Sequence, residues 1–258
     1  MNNVFAVAGI VIKEMYRRKD FYVLLILTVL ITGVMGSVTF FNDDKIVRYL
    51  KELCLLLIWI SSLVIAITTI ARQMPSEREN RTIFPLLAKP ISRGELLIGK
   101  FLGCWLACGI ALVCFYSFFA AITVSREHHF YFLNYFQAAT LHWFMLGILI
   151  GMALLGSLVF AAPSSNATIC FVVATAILLV GRHLNQVALS MRGGQQAFIY
   201  GLYYAIPHLE IFDVRDLIIH NWSIIAWPYY GAAVLYALIY GAFFVAGACL
   251  LFRRKALN

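Results

Sequence analysis

The stretch FYFLNYFQAATLHWFMLGILIGMALLGSLVFAAPSSNATICFVVATAILLVG, Phe130 to Gly181, contains no Asp, Glu, Lys or Arg. About 20 apolar residues cross the hydrocarbon core of a bilayer as a helix, so this run is too long for one crossing and long enough for two. Pro163, Ser164, Ser165 and Asn166 punctuate its middle, a turn signal that predicts one helix over 137–161 and another over 167–181. Outward from it lie Phe21 to Phe41, Leu53 to Ala71, Phe101 to Ser125 and Trp222 to Phe252, each also free of charge, the last predicting a span that starts near Pro228. The pattern predicts an all-α integral membrane protein, a single transmembrane domain over 1–258 with six transmembrane helices.

Composition points the same way. Of the 258 residues, 62% are hydrophobic and 12% charged, with a mean hydropathy of +0.86, whereas soluble proteins average about 45–50% and 25%. The net charge of +8 arises from basic residues grouped at span ends, where anionic headgroups explain them. No basic stripe with stacking aromatics accompanies them, so nucleic acid is not an expected partner. Cys54, Cys104, Cys108, Cys114, Cys170 and Cys249 lie in apolar stretches without a C-x-x-C pair and read as packing residues. Cys104 and Cys108, four apart on one helical face, have a spacing open to a soft metal, but small-residue helix packing is the simpler account and no metal is expected.

No predicted span contains an acidic or basic residue, which argues against a proton-driven transporter, since these commonly place one at mid-membrane. His142, the ionisable imidazole deep within a span, reads as a hydrogen-bonded structural group. The chain lacks G-x-x-x-x-G-K-[ST], G-x-S-x-G and H-E-x-x-H, so neither its own ATPase site nor zinc-protease chemistry is predicted and no catalytic residue is assigned. Any work it performs draws on a separate subunit.

Orientation follows from the basic residues. With the N-terminus inside, 13 fall on the cytoplasmic side (Lys13, Arg17, Arg18, Lys19, Arg72, Arg78, Arg81, Lys89, Arg93, Lys100, Arg253, Arg254, Lys255) and 7 opposite (Lys45, Arg48, Lys51, Arg126, Arg182, Arg192, Arg215). Both termini are therefore predicted to be cytoplasmic. The apolar run after the basic cluster lacks an A-x-A cleavage site and reads as a retained first span. Before it, within 1–20, Val4, Ala8, Val11 and Met15 recur at helical spacing, and Glu14 pairs with Arg18 beside Lys13 and Arg17. That spacing predicts an N-terminal amphipathic interface helix on the cytoplasmic membrane surface, with an extension of the first span as the other reading.

The segment RQMPSERENRTIFPLLAKPISRGELLIGK, Arg72 to Lys100, is the charged cytoplasmic loop between spans two and three. Ser76 and Glu79 form a capping box after Pro75, which predicts a short helix starting at Glu77. Ser92 and Glu95 form a second one after Pro90, opening the third span. Pro85 is predicted to end the short helix near Phe84. Ile83, Phe84, Leu86 and Leu87 on a cytosolic turn call for cover, either from a protein partner or from the protein's own spans and the lipid interface.

This loop resembles that of the permease subunits of type-2 ABC exporters, in the branch of the copper-enzyme maturation and gliding-motility permeases. The resemblance rests on Glu77, Arg78 and Glu79, then Arg81 and Thr82, Leu86 and Leu87, Pro90, Ile91, Ser92 and Arg93, and later Gly99 and Lys100. Asn80 stands where relatives often carry glycine, and Pro85 precedes the leucine pair. More loosely, the likeness extends to the N-terminal helix, the six-span layout and the segment IPHLEIFDVRD, Ile206 to Asp216. The resemblance implies a half-transporter of a bacterial cytoplasmic membrane, paired with a second permease, often its own copy, above two ABC ATPase subunits that bind ATP and Mg. It implies a coupling helix within loop 74–96, where Glu77, Arg78, Glu79, Arg81, Thr82, Ile83, Phe84, Leu87, Pro90, Ser92 and Arg93 meet the ATPase. No cofactor is then bound by this chain, and its membrane partner is lipid.

Residues 182–221 are less apolar and read as an external cap with Gly193 and Gly194 as hinges. Tyr200, Tyr203, Tyr204, Trp222 and Trp227 suit an interfacial aromatic belt. His208, Glu210 and Asp213 in this segment carry the alternative function, an intramembrane lipid-modifying enzyme using them as acid and base. A scaffold without substrate is a third reading.

Overall fold

An apolar run in hydrocarbon has to satisfy every backbone N–H and C=O within itself, and the helix does so. The computed structural model describes residues 2–17, 19–37, 44–79, 91–127, 131–160, 162–190 and 193–254, and among them every regular element is helical. The helices are α1 (Asn2–Arg17), α2 (Lys19–Ser37), α3 (Asp44–Glu79), α4 (Arg93–Glu127), α5 (Phe132–Val159), α6 (Pro163–Ser190), α7 (Gly194–Ala205), α8 (Asp216–Ile219) and α9 (Trp227–Arg254), with a 3-10 turn at Leu209–Phe212 between α7 and α8. Four helical stretches among the described residues are long and apolar enough to cross a membrane: Lys51–Pro75, Arg93–Ser125, Phe132–Val159 and Trp227–Arg254. Pro163–Leu179 is a shorter apolar helix.

Three local expectations are corrected. No new helix starts at Glu77, because α3 runs unbroken through Pro75 to Glu79. A proline forfeits one backbone bond of the preceding turn, yet Ile70, Ala71, Met74 and Pro75 are all buried here and tertiary packing carries the helix past it. The same S-x-x-E pattern that caps α4 is thus overridden in α3. At the second punctuation the break falls earlier than expected: α5 ends at Val159, and Pro163 opens α6, which continues past Gly181 to Ser190. Proline suits the first helical position because its missing N–H would be unpaired there anyway. Finally, the membrane-length stretches do include charged groups at their ends, among them Lys51 and Lys100, both buried.

α5 is the central helix, packed against α3, α4, α6 and α9, and Met145, Leu146, Leu149, Ile150, Ala153 and Leu154 on it are fully enclosed. α4 and α5 are joined by a reciprocal clasp. Trp105 Nε1 donates to the carbonyl of Trp143 at 2.9 Å and Trp143 Nε1 to that of Trp105 at 2.8 Å, with the two rings stacked 4.5 Å apart. Each tryptophan is followed four residues later by a glycine, Gly109 and Gly147, and each indole lies where the facing glycine's Cβ would be, 2.7 Å and 3.0 Å from it.

Of the expected apolar stripe of α1, Ala8, Val11 and Met15 are buried and Val4 is half-buried, Val7 is buried beside them, and the helix packs on α4. The contact is made at Gly99 and Gly103. A Cβ on Gly99 would stand 2.7 Å from Val7 Cβ, and one on Gly103 would stand 2.7 Å from the Ala8 carbonyl oxygen. This is the small-xxx-small arrangement that lets two helix backbones approach closely. Gly103→Leu is expected to displace α1, because its neighbour is backbone and cannot turn aside. Thiol labelling of an Ala8→Cys reporter, buried in the parent, should then accelerate at least tenfold, and unchanged labelling would refute the contact.

Candidate coupling site and cap

The coupling residues named from the sequence are reached by the structure at the two flanks of the loop. Arg18, Arg81, Thr82, Ile83, Phe84, Leu86, Leu87 and Pro90 lie outside the described residues, as do the side chains of Arg78 and Glu79. On the far flank the second capping box is formed: the Ser92 N–H donates to Glu95 Oε2 at 2.8 Å and the Glu95 N–H to Ser92 Oγ at 3.2 Å. Two of the unpaired N–H groups at the start of α4 are thereby satisfied. Arg93 turns to α9, donating from Nη1 to the carbonyls of Phe252 at 3.0 Å and Arg253 at 3.5 Å, with its guanidinium carbon 5.5 Å from the centre of the Phe252 ring. A cation at the last carbonyls of a helix meets the negative end of its dipole.

On the near flank Glu77 Oε1 is 2.6 Å from Lys100 Nζ. Lys100 also donates to Gln73 Oε1 at 3.1 Å and to the Gln73 carbonyl at 3.4 Å. The Gln73 amide in turn donates to Glu14 Oε2 of α1 at 3.2 Å. Lys100 is only 1% exposed, and a charge taken that far from water is tolerated only when paired and hydrogen-bonded. The end of α3, the start of α4 and α1 are therefore tied by one polar chain, and α9 is added through Arg93. Glu14 is thus a member of this chain, and Lys13 and Arg17, the other named residues of the interface helix that are described, are exposed.

The opposite end of the bundle is closed by residues 206–226, pinned by polar side chains reaching out of the long helices. Lys51 donates to the Ile218 carbonyl at 3.3 Å, and Asn134 Nδ2 to those of Leu217 at 3.1 Å and Trp222 at 2.8 Å. Gln137 makes a two-way bond with Ile225, its Nε2 donating to the carbonyl at 2.9 Å and its Oε1 accepting from the N–H at 2.9 Å. Gln137→Leu leaves both Ile225 groups unpaired, a cost of roughly 1–3 kcal/mol each where they stay dry. Amide exchange at Ile225 is expected to rise at least tenfold in that variant, and parental protection would refute the assignment.

His208, Glu210 and Asp213 are brought to the cap but not into one site. His208 Nδ1 and Glu210 Oε1 are 3.3 Å apart, and Glu210 Oε2, buried without a hydrogen-bond partner, lies against Gly181, 2.8 Å from where a Cβ would be. Asp213 is instead gripped by Arg215, Nε to Oδ1 at 2.7 Å and Nη2 to Oδ2 at 3.0 Å. That carboxylate holds the guanidinium above its ordinary pKa, chiefly through the hydrogen bond, although partial burial opposes it. Arg215 also lies 5.2 Å over the Trp59 ring. Beneath it His142 is fully partnered. Ser62 donates its single proton to the Trp59 carbonyl at 2.9 Å, so its oxygen accepts from His142 Nε2 at 2.8 Å, which leaves Nδ1 to accept from the Tyr116 hydroxyl at 3.3 Å. No group of three metal-ligating side chains is found among the described residues.

Gln73, Asn134 and Gln137 hold these two ends together, yet nothing in their sequence spacing marks them. The Gly99-x-x-x-Gly103 spacing and the twice-repeated Trp-x-x-x-Gly, by contrast, are readable signals of close helix approach. The loop flanks, the bundle and the cap are carried on helices of which four stretches are long and apolar enough to cross a membrane. No curated protein matches the chain. Residues 6–257 match the family described as ABC-2 family transporter protein, so the chain belongs to that family and is the multi-pass membrane permease subunit of an ABC transporter, a class of subunit that works with a separate ABC ATPase.

Proposed function

We propose that this permease is an exporter half that pairs with a second copy of itself and is driven through loop 74–96 by two ABC ATPase subunits carrying ATP and Mg. The observation that carries the reading is the polar chain Glu14, Gln73, Glu77, Lys100 at the mouth of that loop. It makes the ends of α3 and α4 one body with α1, so a push on 80–90 moves two membrane helices together. In this reading α2 and α6 join the four long stretches to make six spans, both termini are cytoplasmic, α1 lies at the membrane surface, 182–221 is external, and the membrane is a bacterial inner membrane. Glu77, Arg78, Glu79, Arg81, Thr82, Ile83, Phe84, Leu87, Pro90, Ser92 and Arg93 form or brace the coupling surface. The lipid-enzyme alternative is not favoured, because Asp213 is held by Arg215 and not by His208.

The test is affinity purification of the tagged protein from its own membrane in mild detergent, comparing the parent with a Glu79→Arg, Phe84→Asp double change. Co-purification of an ABC ATPase that the double change abolishes is the expected result. A parent that purifies without any ATPase refutes the coupling reading.

A further inference from the structure

α9 is the least covered of the four membrane-length stretches, with 17% of its most apolar part buried, and it borders a groove shared with α4 and α5. The groove has a volume of about 260 Å³ and is walled by Phe101 and Trp105 on α4 and by Leu238, Gly241, Ala242 and Val245 on α9. Its polar atoms are spoken for: the one indole N–H on the wall, that of Trp105, is bonded to the Trp143 carbonyl. Pockets for drug-sized ligands are commonly about 300–1,000 Å³ with a few convergent polar groups. This slot is smaller and carries none, which suits a linear hydrocarbon chain.

One end of the slot is charged. Arg93, at the head of α4, is fixed on the last carbonyls of α9, so the two groove-forming helices meet there under a guanidinium. Arg253 and Arg254 follow, both exposed, and Lys255 comes next in the sequence. Arg253 is eleven positions beyond Ala242, close to three helical turns, and so stands above the Ala242 edge of the groove about 16 Å along the axis. A chain lying in the slot and an anionic head under Arg253 belong to one molecule of the right length. We infer that this groove is a binding site for an anionic phospholipid of the leaflet at the Arg253 end, one acyl chain lying along Gly241 and Trp105 and the phosphate meeting Arg253.

Trp105 provides the readout. The full-length protein is placed in nanodiscs of phosphatidylcholine titrated with acyl-brominated phosphatidylglycerol or acyl-brominated phosphatidylcholine. The quenched fluorescence component that disappears in Trp105→Phe is followed. Phosphatidylglycerol should quench that component at roughly fivefold lower mole fraction, the preference set by about one basic residue at a membrane surface. Arg253→Gln should bring the two titrations together, and Arg253→Lys should keep them apart. Gly241→Leu, whose Cβ has clear space with Phe101 Cζ 4.0 Å away, should fill the slot and reduce quenching by both lipids. Equal titrations in the parent mean bulk lipid only, no Trp105 quenching by either lipid means a protein occupant, and a preference that survives Arg253→Gln places the headgroup elsewhere. Each of these three results overturns the assignment.

Discussion

Glu77→Ala is expected to lower the stability of the detergent-solubilised permease by about 3 kcal/mol, the low end of the roughly 3–5 kcal/mol typical when one partner of a buried ion pair is removed. The figure sits low because Gln73 Oε1 remains 3.1 Å from Lys100 Nζ after the carboxylate is gone. What is lost is the 2.6 Å charge pair, and what is left is an ammonium 1% exposed with only neutral acceptors. Glu77→Leu combined with Lys100→Met removes both charges and the desolvation penalty together, so the double variant should recover most of the loss. A double-mutant cycle on unfolding midpoints measures this. Additive effects of the two changes would show that the pair is not coupled. Because Glu77 also lies at the proposed coupling surface, the double variant is informative for function: stable but uncoupled from ATP hydrolysis is the expected phenotype.

Gly147→Leu is expected to be the second large lesion. Its new Cβ would stand 3.0 Å from Trp105 Nε1 and 3.2 Å from Cε2, so the indole has to leave the face of α5. The displaced ring forfeits its bond to the Trp143 carbonyl and its stack on Trp143. Overpacking of this kind costs about 1–3 kcal/mol, and membrane hydrogen bonds contribute around 0.6 kcal/mol each. A total near 2–4 kcal/mol follows. Gly109→Leu should do the same from the other side, since Trp143 Nε1 would be 2.7 Å from its Cβ, whereas Trp105→Phe removes the hydrogen bond without the clash and should cost less than half as much. Unfolding midpoints in one detergent rank the three, and a Trp105→Phe loss equal to that of Gly147→Leu would show that the bond, not the close approach, holds α4 to α5.

The capping boxes show where sequence reading succeeds and where it stops. Ser92 and Glu95 satisfy each other within one turn, and that geometry depends on nothing farther than three residues away. Ser76 and Glu79 present the identical spacing inside α3. There the decision belongs to Ile70, Met74 and Lys100, which bury the helix and bind its end. Pro163 repeats the lesson: proline in a Ser-rich cluster announces a break, but not that α5 stops at Val159 and that the proline itself opens α6.

The candidate site was legible to a similar depth. The charged loop and the cap of α4 that follows it are written in the order of residues from Pro75 to Glu95. That Arg93 turns inward to α9, that Gln73 bridges Lys100 to Glu14, and that Asp213 faces Arg215 instead of His208 depend on partners between two and 160 positions away.

By itself the sequence determined the helical membrane character, the long apolar stretches, the cap of α4 and the amphipathic face of α1, because hydropathy, helical period and capping act over a turn or over one membrane thickness. Only the tertiary structure decided what that face packs against, where α3 ends, how the cap is pinned by Lys51, Asn134 and Gln137, and which buried charge answers which. The reason is physical: in a dry interior a polar group takes whichever partner folding brings within 3 Å or so, and chain order does not encode that distance.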